Sequence, residues 1–263
     1  MTTDIIWLRS TDSTNEEARR RISDIDNLSV LSATEQTEGR GQRGNTWISP
    51  PGENLTFSIV LKFQGPASDT EGCRKLPRLN ACRQFILTEI TSVSMLEFLS
   101  RYGIHSSVKW PNDIYIGSRK VCGMLIENSL RGNLIMSSII GIGLNINQRN
   151  FDVTLSNPTS MVIESGMKQL DTHICLVEFL EIFTENLERY LADADKLSDE
   201  LRERYTNNLW RLDTPSTFIS HAESGRIFSG KIQGVSPCGL LIIEDMEKGE
   251  LKEFAFKEIG YIF

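Results

Sequence analysis

The chain has 263 residues, of which 40% are hydrophobic and 24% are charged, which is typical of a globular protein with a sizeable core. Its 28 basic and 35 acidic side chains give a net charge of −7, which argues against a general nucleic-acid binder, because such proteins carry surplus Lys and Arg. The first residues lack a signal-peptide pattern, and the most apolar stretch, 134–146, is too short and too polar to span a bilayer, so we expect a cytoplasmic protein. The cysteines form no CxxC pair, which predicts free thiols and no zinc site.

Strands and helices alternate along most of the chain. In chain order the patterns predict strand 5–8, a helix from Thr14, strand 29–33, strand 54–62, helix 79–102, strands 107–110, 114–116, 121–127 and 135–142, and helices 174–194 and 198–209. Thr14 and Glu17 have the spacing of a capping box, and Gly103 is the predicted C′ residue of helix 79–102. Strand 54–62 alternates apolar and polar side chains, which indicates one buried face. Residues 34–51 indicate a long loop, either functional or disordered.

The pattern changes at Asp213. From there short β-patterned runs alternate with turn signals, at 217–221, 226–235, 240–244 and 251–256. We therefore predict two domains, an α+β domain at 1–212 and a small all-β domain at 213–263. In the larger domain, helices should pack against a mixed or antiparallel sheet.

The loop 39–44 (GRGQRG) is the first candidate binding segment. Its glycines let the backbone approach a ligand closely, and consecutive N–H groups can bind an anion. Arg40 and Arg43 supply guanidinium groups that match carboxylate or phosphate, and Trp47 offers a flat face for an adenine ring or a cation. The loop is not a Walker A motif, because no GK[ST] follows it. A flexible surface turn with solvated arginines explains the loop equally well.

The motif KWPND (109–113) and the following strand form the second candidate. Pro111 interrupts the ladder, so that Asn112 and Asp113 are presented at a strand junction, where an amide and a carboxylate can reach a ligand. Lys120 begins the strand 121–127, and Gly123 inside that strand indicates the close approach of a ligand or of another backbone. An ordinary turn and an exposed edge lysine are the alternative interpretations.

Five segments together resemble the catalytic region of biotin–protein ligases. In chain order they are DSTN (12–15), QTEGRGQRGNTW (36–47), NLTFSIVL (54–61), KWPNDIYIGSRKVCGMLIE (109–127) and IIGIGLNIN (139–147). GRGxRG followed at this distance by KWPND, and then by a lysine seven residues after the aspartate, is a specific combination. The resemblance covers nearly the whole chain. It implies an α+β catalytic domain of the class II synthetase type followed by a small SH3-like β-barrel.

The resemblance also implies roles for individual residues. The expected biotin contacts are Ser13, Thr14, Asn15, Gln36, Arg40, Gly41, Gln42, Lys120 and Gly123. The expected ATP contacts are Arg43, Trp47, Asn112, Lys120 and Asn145. Lys120 and Arg40 are the expected catalytic residues, and no metal ligand is identified. Members of the family often carry arginine where this chain has Gln42, so a fixed charge is missing at that position.

The implied reaction uses biotin, ATP and Mg²⁺ in two steps. The biotin carboxylate attacks the α-phosphorus of ATP to give biotinyl-5′-AMP, and a lysine of a biotin carboxyl carrier domain then displaces AMP. Because a carboxylate and a polyphosphate repel each other, Arg40 and Lys120 must converge on one pocket. Few residues precede DSTN, so we expect a monofunctional ligase without the N-terminal DNA-binding domain of some relatives.

Three alternatives stay open at this point. A lipoate–protein ligase has a related fold and also acylates lysine through an adenylate. A non-catalytic biotin or nucleotide sensor would need the pocket but not the reaction. A nucleic-acid-binding regulator fits poorly, because the chain lacks a basic face and a recognition helix. The acceptor protein and the oligomeric state are also open, and a homodimer through an exposed sheet edge is one arrangement.

Overall fold

The computed structural model describes residues 4–65, 75–155 and 157–262, apart from the side chain of Arg43. The first part of the chain contains β1 (Ile5–Thr11), α1 (Thr14–Arg20), β2 (Val30–Gln36), β3 (Leu55–Lys62), β4 (Leu79–Asn80), α2 (Phe85–Arg101), β5 (Ser107–Lys109), β6 (Asp113–Ile116), β7 (Arg119–Arg131), β8 (Leu134–Leu144), α3 (Met161–Ser165), α4 (Thr172–Ala192) and α5 (Ala194–Asn207). The second part contains β9 (Ser216–Ser220), β10 (Arg226–Val235), β11 (Leu241–Asp245), β12 (Glu250–Phe254) and β13 (Ile259–Ile262). The described cysteines are free thiols, and Cys73 lies outside the described residues.

The first part is built on an eight-stranded sheet. Its strand order is β1-β2-β3-β8-β7-β6-β5, and β4 pairs with one end of β8. β1 and β2 are parallel, whereas the other neighbours are antiparallel. The sheet is therefore mixed and has helices packed against it, which confirms the predicted fold class. Within the described ranges, no helix is long and apolar enough to cross a membrane.

The central strand β3 is buried on both of its faces. Leu55, Phe57 and Ile59 belong to the main hydrophobic core, where the ring of Phe57 lies 5.6 Å from that of Phe179 in α4. Ser58 points to the opposite face, and its hydroxyl lies 2.8 Å from Thr14 Oγ1 in α1. The prediction of a strand with one buried face is wrong, because α1 covers the polar side of β3 as well.

Helix α1 begins without the predicted capping box. Ser13 is the N-cap residue and its side chain makes no capping hydrogen bond. The backbone N–H of Thr14 donates to Gln36 Oε1 at 2.7 Å, while the carboxylate of Glu17 pairs with Arg20. A side chain from β2 therefore satisfies the N–H that the local pattern assigned to Glu17.

Two other helix boundaries differ from the prediction. Residues 79–80 pair with β8 and Ala81–Arg83 forms a 3₁₀ turn, so α2 begins at Phe85. The end of α2 agrees with the prediction, because Gly103 follows it with a φ of +70°. The long helix expected at 174–194 is interrupted at Asp193, whose carboxylate accepts a hydrogen bond from the N–H of Lys196 and caps α5.

The second part forms a five-stranded antiparallel sheet in the order β12-β11-β10-β9-β13. Four of its strands were predicted, whereas the short β13 was not. The two parts share one hydrophobic core. Trp110 donates a hydrogen bond to the carbonyl of Gly239 at 3.0 Å, and Tyr205 donates one to the carbonyl of Pro111 at 2.6 Å. The first of these bonds joins the small sheet to the β5–β6 edge of the large sheet, and the second fixes α5 against the same edge. The domain boundary at 213 stays a prediction.

Candidate functional site

One row of register partners crosses the large sheet from β3 to β5. The row consists of Thr56, Gly143, Gly123, Asp113 and Lys109. Register partners in an antiparallel ladder face the same side of the sheet. The row therefore places two glycines next to each other, followed by a carboxylate and an ammonium group toward the sheet edge. The face opposite the helical core thus has a floor of bare backbone.

The glycine floor accommodates the indole ring of Trp47. A Cβ atom on Gly143 would lie 2.3 Å from Trp47 Cε2, and one on Gly123 would lie 3.2 Å from Trp47 Cζ3. Any side chain at Gly143 would displace the indole, because the ring lies directly against the strand backbone. The loop that carries Trp47 is therefore held over this face of the sheet.

A cavity of about 270 Å³ lies between the sheet, the N-terminal end of α1, the loop 39–47 and the small sheet. Of the thirteen residues predicted for the site, all except Arg43 and Asn145 line it. These eleven are Ser13, Thr14, Asn15, Gln36, Arg40, Gly41, Gln42, Trp47, Asn112, Lys120 and Gly123. The side chain of Arg43 lies outside the described part of the chain. The structure therefore gathers into one cavity segments that lie as far apart in sequence as Ser13 and Gly123.

One end of the cavity is lined by buried polar groups of α1. Asn15 donates hydrogen bonds to the carbonyl of Leu125 at 3.2 Å and to the carboxylate of Glu127 at 2.8 Å. Its Oδ1 atom lies 2.6 Å from the hydroxyl of Ser58 and 2.3 Å from the position of a Cβ on Gly141. Gly141 is thus needed for Asn15 to reach the sheet. The hydroxyls and amides at this end are fixed in place before any ligand arrives.

Lys120 lines the same cavity, at the end of the glycine floor that is farther from α1. Its Nζ atom is 2.7 Å from Asp113 Oδ1 and 5.8 Å from the centre of the Trp47 ring. Neither Lys120 nor Asp113 is fully buried, since their side chains are 31% and 25% exposed. The ion pair orients an ammonium group toward the cavity while leaving it accessible to an anionic ligand.

Arg40 belongs to a four-residue ion network at the edge of the cavity. Its guanidinium pairs with the carboxylates of Glu16 and Glu127. Arg19 pairs with the same two carboxylates, at 2.7 Å and 2.8 Å. Arg40 therefore lines the same cavity as Lys120, but carboxylates hold its charge in this state.

The two asparagines predicted to contact the nucleotide hold the backbone. Asn112 lines the cavity, and its amide donates to the carbonyl of Met124. Asn145 is buried outside the cavity lining, where its amide donates to the carbonyl of Thr159 at 2.9 Å. A nucleotide contact from Asn145 stays a prediction that this geometry does not favour.

Three polar atoms of cavity residues are buried and have no hydrogen-bond partner within the described residues. They are Gln42 Oε1, Trp47 Nε1 and Tyr261 Oη. Buried polar groups in proteins are nearly always paired, so each of these atoms identifies a position where a ligand would complete the pairing. All three lie in the same cavity, where one ligand could reach them.

The sequence patterns missed the part of the wall that contains Lys109 and Tyr261. Lys109 Nζ donates to the Tyr115 hydroxyl at 3.0 Å and lies 5.3 Å from the centre of the Tyr261 ring. Burial lowers the pKa of Lys109, and burial raises the pKa of Tyr115 to about 12. The KWPND motif includes Lys109 and could have drawn attention to it. Tyr261 lies in β13, and no pattern signalled that this strand reaches the site.

Among the described residues that line this cavity, Asp113 is the one with a carboxylate side chain. The described residues contain no cluster of three or more His, Cys, Asp or Glu side chains that could hold a metal ion. Mg²⁺ commonly binds through one or two carboxylates together with substrate phosphates. The donor set at this site therefore fits a magnesium ion held jointly by Asp113 and a bound polyphosphate, and it does not fit a cage made of protein ligands alone.

The sequence profile of the biotin/lipoate A/B protein ligase family matches residues 7–145, which is more than half of the chain. The chain belongs to this family. The matched segment of this family member contains α1, the loop 39–47, the KWPND motif and Lys120, which together form most of the cavity wall.

Individual relatives narrow the comparison within the family. The bifunctional ligase/repressor BirA of Escherichia coli is 30% identical over 198 residues, covering 72% of this chain and 57% of BirA. The biotin–[acetyl-CoA-carboxylase] ligase of Paracoccus denitrificans is 28% identical over 242 residues, covering 90% of this chain and 92% of the relative. This family member thus spans less than two thirds of the length of the bifunctional relative, but nearly all of the length of the second one.

A solved structure matches this family member over almost its whole length. The biotin protein ligase from Aquifex aeolicus in complex with biotin and ATP is 26% identical, with a TM-score of 0.72. The match covers 98% of this chain and 97% of the Aquifex chain, so it includes the small C-terminal sheet. The arrangement of both parts is therefore shared with a ligase that binds biotin and ATP.

Proposed function

We propose that the protein is a biotin–protein ligase, which activates biotin with ATP and attaches it to a lysine of an acceptor protein. The observation that carries this proposal is the single cavity that gathers the end of α1, the loop 39–47, the KWPND motif and Lys120. The whole-chain likeness to the Aquifex ligase bound to biotin and ATP supports the same substrates. The Paracoccus relative and the Aquifex structure are both biotin ligases, which favours biotin over lipoate as the substrate.

The α1 end of the cavity suits the ureido ring of biotin. That ring presents one carbonyl acceptor and two N–H donors, and it needs fixed partners of both kinds. Ser13 and Thr14 supply hydroxyls that can donate or accept, and Gln36 supplies an amide. The backbone of Gly123 is a further predicted contact, and the Trp47 indole that lies against it would move with its loop when biotin binds. Biotin placed in this way would direct its carboxylate toward Lys120.

Lys120 would stabilise the charge that develops in the first step. The biotin carboxylate oxygen forms a bond to the α-phosphorus, and the bond from that phosphorus to the leaving pyrophosphate breaks. No proton is transferred, so the demand on the protein is electrostatic. The ion pair with Asp113 holds the ammonium group at the cavity wall, near the point where both reacting anions must come together. In the second step the uncharged lysine amine of the acceptor forms a bond to the carbonyl carbon, the bond from that carbon to the phosphate oxygen breaks, AMP leaves, and the nitrogen releases one proton.

Arg40 has to change partners in order to contact the ligand. Its guanidinium pairs with Glu16 and Glu127, and an anionic adenylate in the cavity would compete with these carboxylates. Such an exchange would draw the loop 39–47 over the ligand and exclude water. Protection of the adenylate from hydrolysis would follow from that closure. Gln42 would add a hydrogen bond rather than a charge.

Asp113 would hold a magnesium ion together with the phosphates of ATP. When bound, this ion supplies charge neutralisation for the phosphate oxygens.

The other expectations from the sequence stay predictions. They comprise a biotin carboxyl carrier domain as the acceptor, a cytoplasmic location and a homodimer.

A direct assay tests the proposed function. The protein is mixed with Mg-ATP, biotin and an apo biotin-acceptor domain, and both pyrophosphate release and streptavidin-detectable product are measured. We expect both signals, and we expect lipoate to compete poorly. Labelling with lipoate in preference to biotin would assign the protein to the other branch of the family. Ligand binding without pyrophosphate release would identify a sensor instead.

A further inference from the structure

Lys109 ends the row of register partners that crosses the cavity floor. It lies two strands beyond Gly123, or roughly 10 Å at the spacing of neighbouring strands. Asp113 lies between them in the row and pairs with Lys120. The two lysines therefore flank a single carboxylate, with Lys120 on the side of the glycine floor and Lys109 on the side of the sheet edge.

Aromatic rings surround the ammonium group of Lys109. The Nζ atom lies 4.9 Å, 5.3 Å and 5.8 Å from the ring centres of Tyr115, Tyr261 and Trp210, respectively. The Tyr115 hydroxyl accepts a hydrogen bond from this ammonium group at 3.0 Å. The rings lower the local dielectric, and in such surroundings a cation attracts an anion more strongly than it does in water.

The hydroxyl of Tyr261 supplies an independent sign of a ligand. Tyr261 lines the cavity from the small sheet, and its hydroxyl is buried with no hydrogen-bond partner among residues 4–65, 75–155 and 157–262. Burial raises the pKa of this phenol far above its ordinary value, so the hydroxyl keeps its proton and remains a donor. A ligand that enters the cavity could therefore supply an acceptor to the Tyr261 hydroxyl, whose ring centre lies 5.3 Å from Lys109 Nζ.

We propose that Lys109, positioned by Tyr115, and Tyr261 bind the β- and γ-phosphates of ATP and hold the pyrophosphate as it leaves. This inference rests on the proposed function. If biotin occupies the α1 end and its carboxylate meets the α-phosphorus near Lys120, the leaving group must extend away from biotin. The next cation along the row in that direction is Lys109. As the bond from the α-phosphorus breaks, its electron pair stays with the pyrophosphate, and the extra negative charge develops toward Lys109.

The two half-reactions separate this role from a structural one. Adenylate formation requires the β- and γ-phosphates, whereas transfer from supplied biotinyl-5′-AMP to the acceptor domain does not. For Lys109→Met, which keeps the length and removes the charge, we expect kcat/KM for ATP to fall on the order of 10²-fold. Transfer from supplied adenylate should stay within twofold of wild type, and inhibition by inorganic pyrophosphate should weaken by at least about tenfold.

Two further variants keep the test decisive. Lys109→Arg retains the charge and should recover part of the lost activity with ATP. Tyr261→Phe keeps the ring and removes only the hydroxyl, so it should weaken pyrophosphate inhibition by about tenfold, the cost of one hydrogen bond to a charged group. Unchanged ATP kinetics in Lys109→Met, or an equal loss in both half-reactions, would overturn the inference. Failure of the wild-type protein to form any adenylate would instead overturn the proposed function.

Discussion

Glu89 provides a test of the packing between α2 and α5. It is 1% exposed in the core, and its Oε1 atom lies 3.3 Å from Arg202 Nε without a hydrogen bond between them. Burial raises the pKa of Glu89 from 4.5 to about 7, and the nearby charge of Arg202 only partly opposes this. The folded state therefore binds a proton more tightly than the unfolded state does, and the carboxylate reduces stability as the pH rises through this range.

The size of the effect follows from the two pKa values. The interval from 4.5 to about 7, at 1.36 kcal/mol per pH unit, corresponds to about 3 kcal/mol of lost stability once the group is fully ionised. About 2.5 kcal/mol of this develops between pH 5 and pH 8. Glu89→Gln cannot ionise, so relative to wild type it should gain about that amount over the same interval.

Urea unfolding at several pH values measures the difference in unfolding free energy between the two proteins. Loss of the partner of Arg202 affects the variant equally at every pH in this range, so it cancels from the pH dependence. Glu185→Gln, at an exposed position on α4, is the matched control and should follow the wild-type curve. A difference between Glu89→Gln and wild type that changes by less than about 0.5 kcal/mol from pH 5 to pH 8 would refute the reasoning.

Three further predictions concern the cavity and the small sheet. Lys120→Ala should lower adenylate formation by on the order of 10²–10³ in single-turnover assays, and a loss below about threefold would remove Lys120 from the mechanism. Gly143→Ala should displace Trp47, because its Cβ would lie 2.3 Å from the indole, and should weaken ATP binding by calorimetry while adding little to the melting temperature; unaltered binding and Trp fluorescence would contradict this. The guanidinium of Arg226, 2.6 Å from Asp245, lowers the pKa of that carboxyl to about 2, so this ion pair stabilises the fold above pH 4 and the contribution is lost as the pH falls toward 2. Asp245→Asn should remove this acid dependence, and an unchanged acid unfolding profile would speak against it.

The sequence was most informative where short motifs carry both a turn and a ligand group. GRGQRG and KWPND were recognised without knowledge of the fold, and the structure brings both to one cavity. Alternating apolar runs likewise located most strands, because burial on a sheet face repeats every second residue. Local patterns therefore predict those elements that are determined by residues close together in the sequence.

Features that depend on distant contacts could not be predicted in this way. Gln36 replaces Glu17 as the acceptor at the start of α1, although the two are far apart in sequence. Glu16 and Glu127 hold Arg40, and no spacing rule connects these three residues. The short strand β13 lacks a distinctive pattern, yet it brings Tyr261 to the cavity. Each of these contacts exists only after the sheets have packed.

The floor of the cavity is made of main-chain atoms, because Gly123 and Gly143 contribute no side chains there. Substitution at these positions can only subtract space, and it offers no new functional group without first expelling the indole. Redesign of the protein toward a larger or differently shaped cofactor analogue should therefore change the α1 residues and the overlying loop. The backbone of the sheet stays the same, and the α1 residues and the loop determine which ligand is bound.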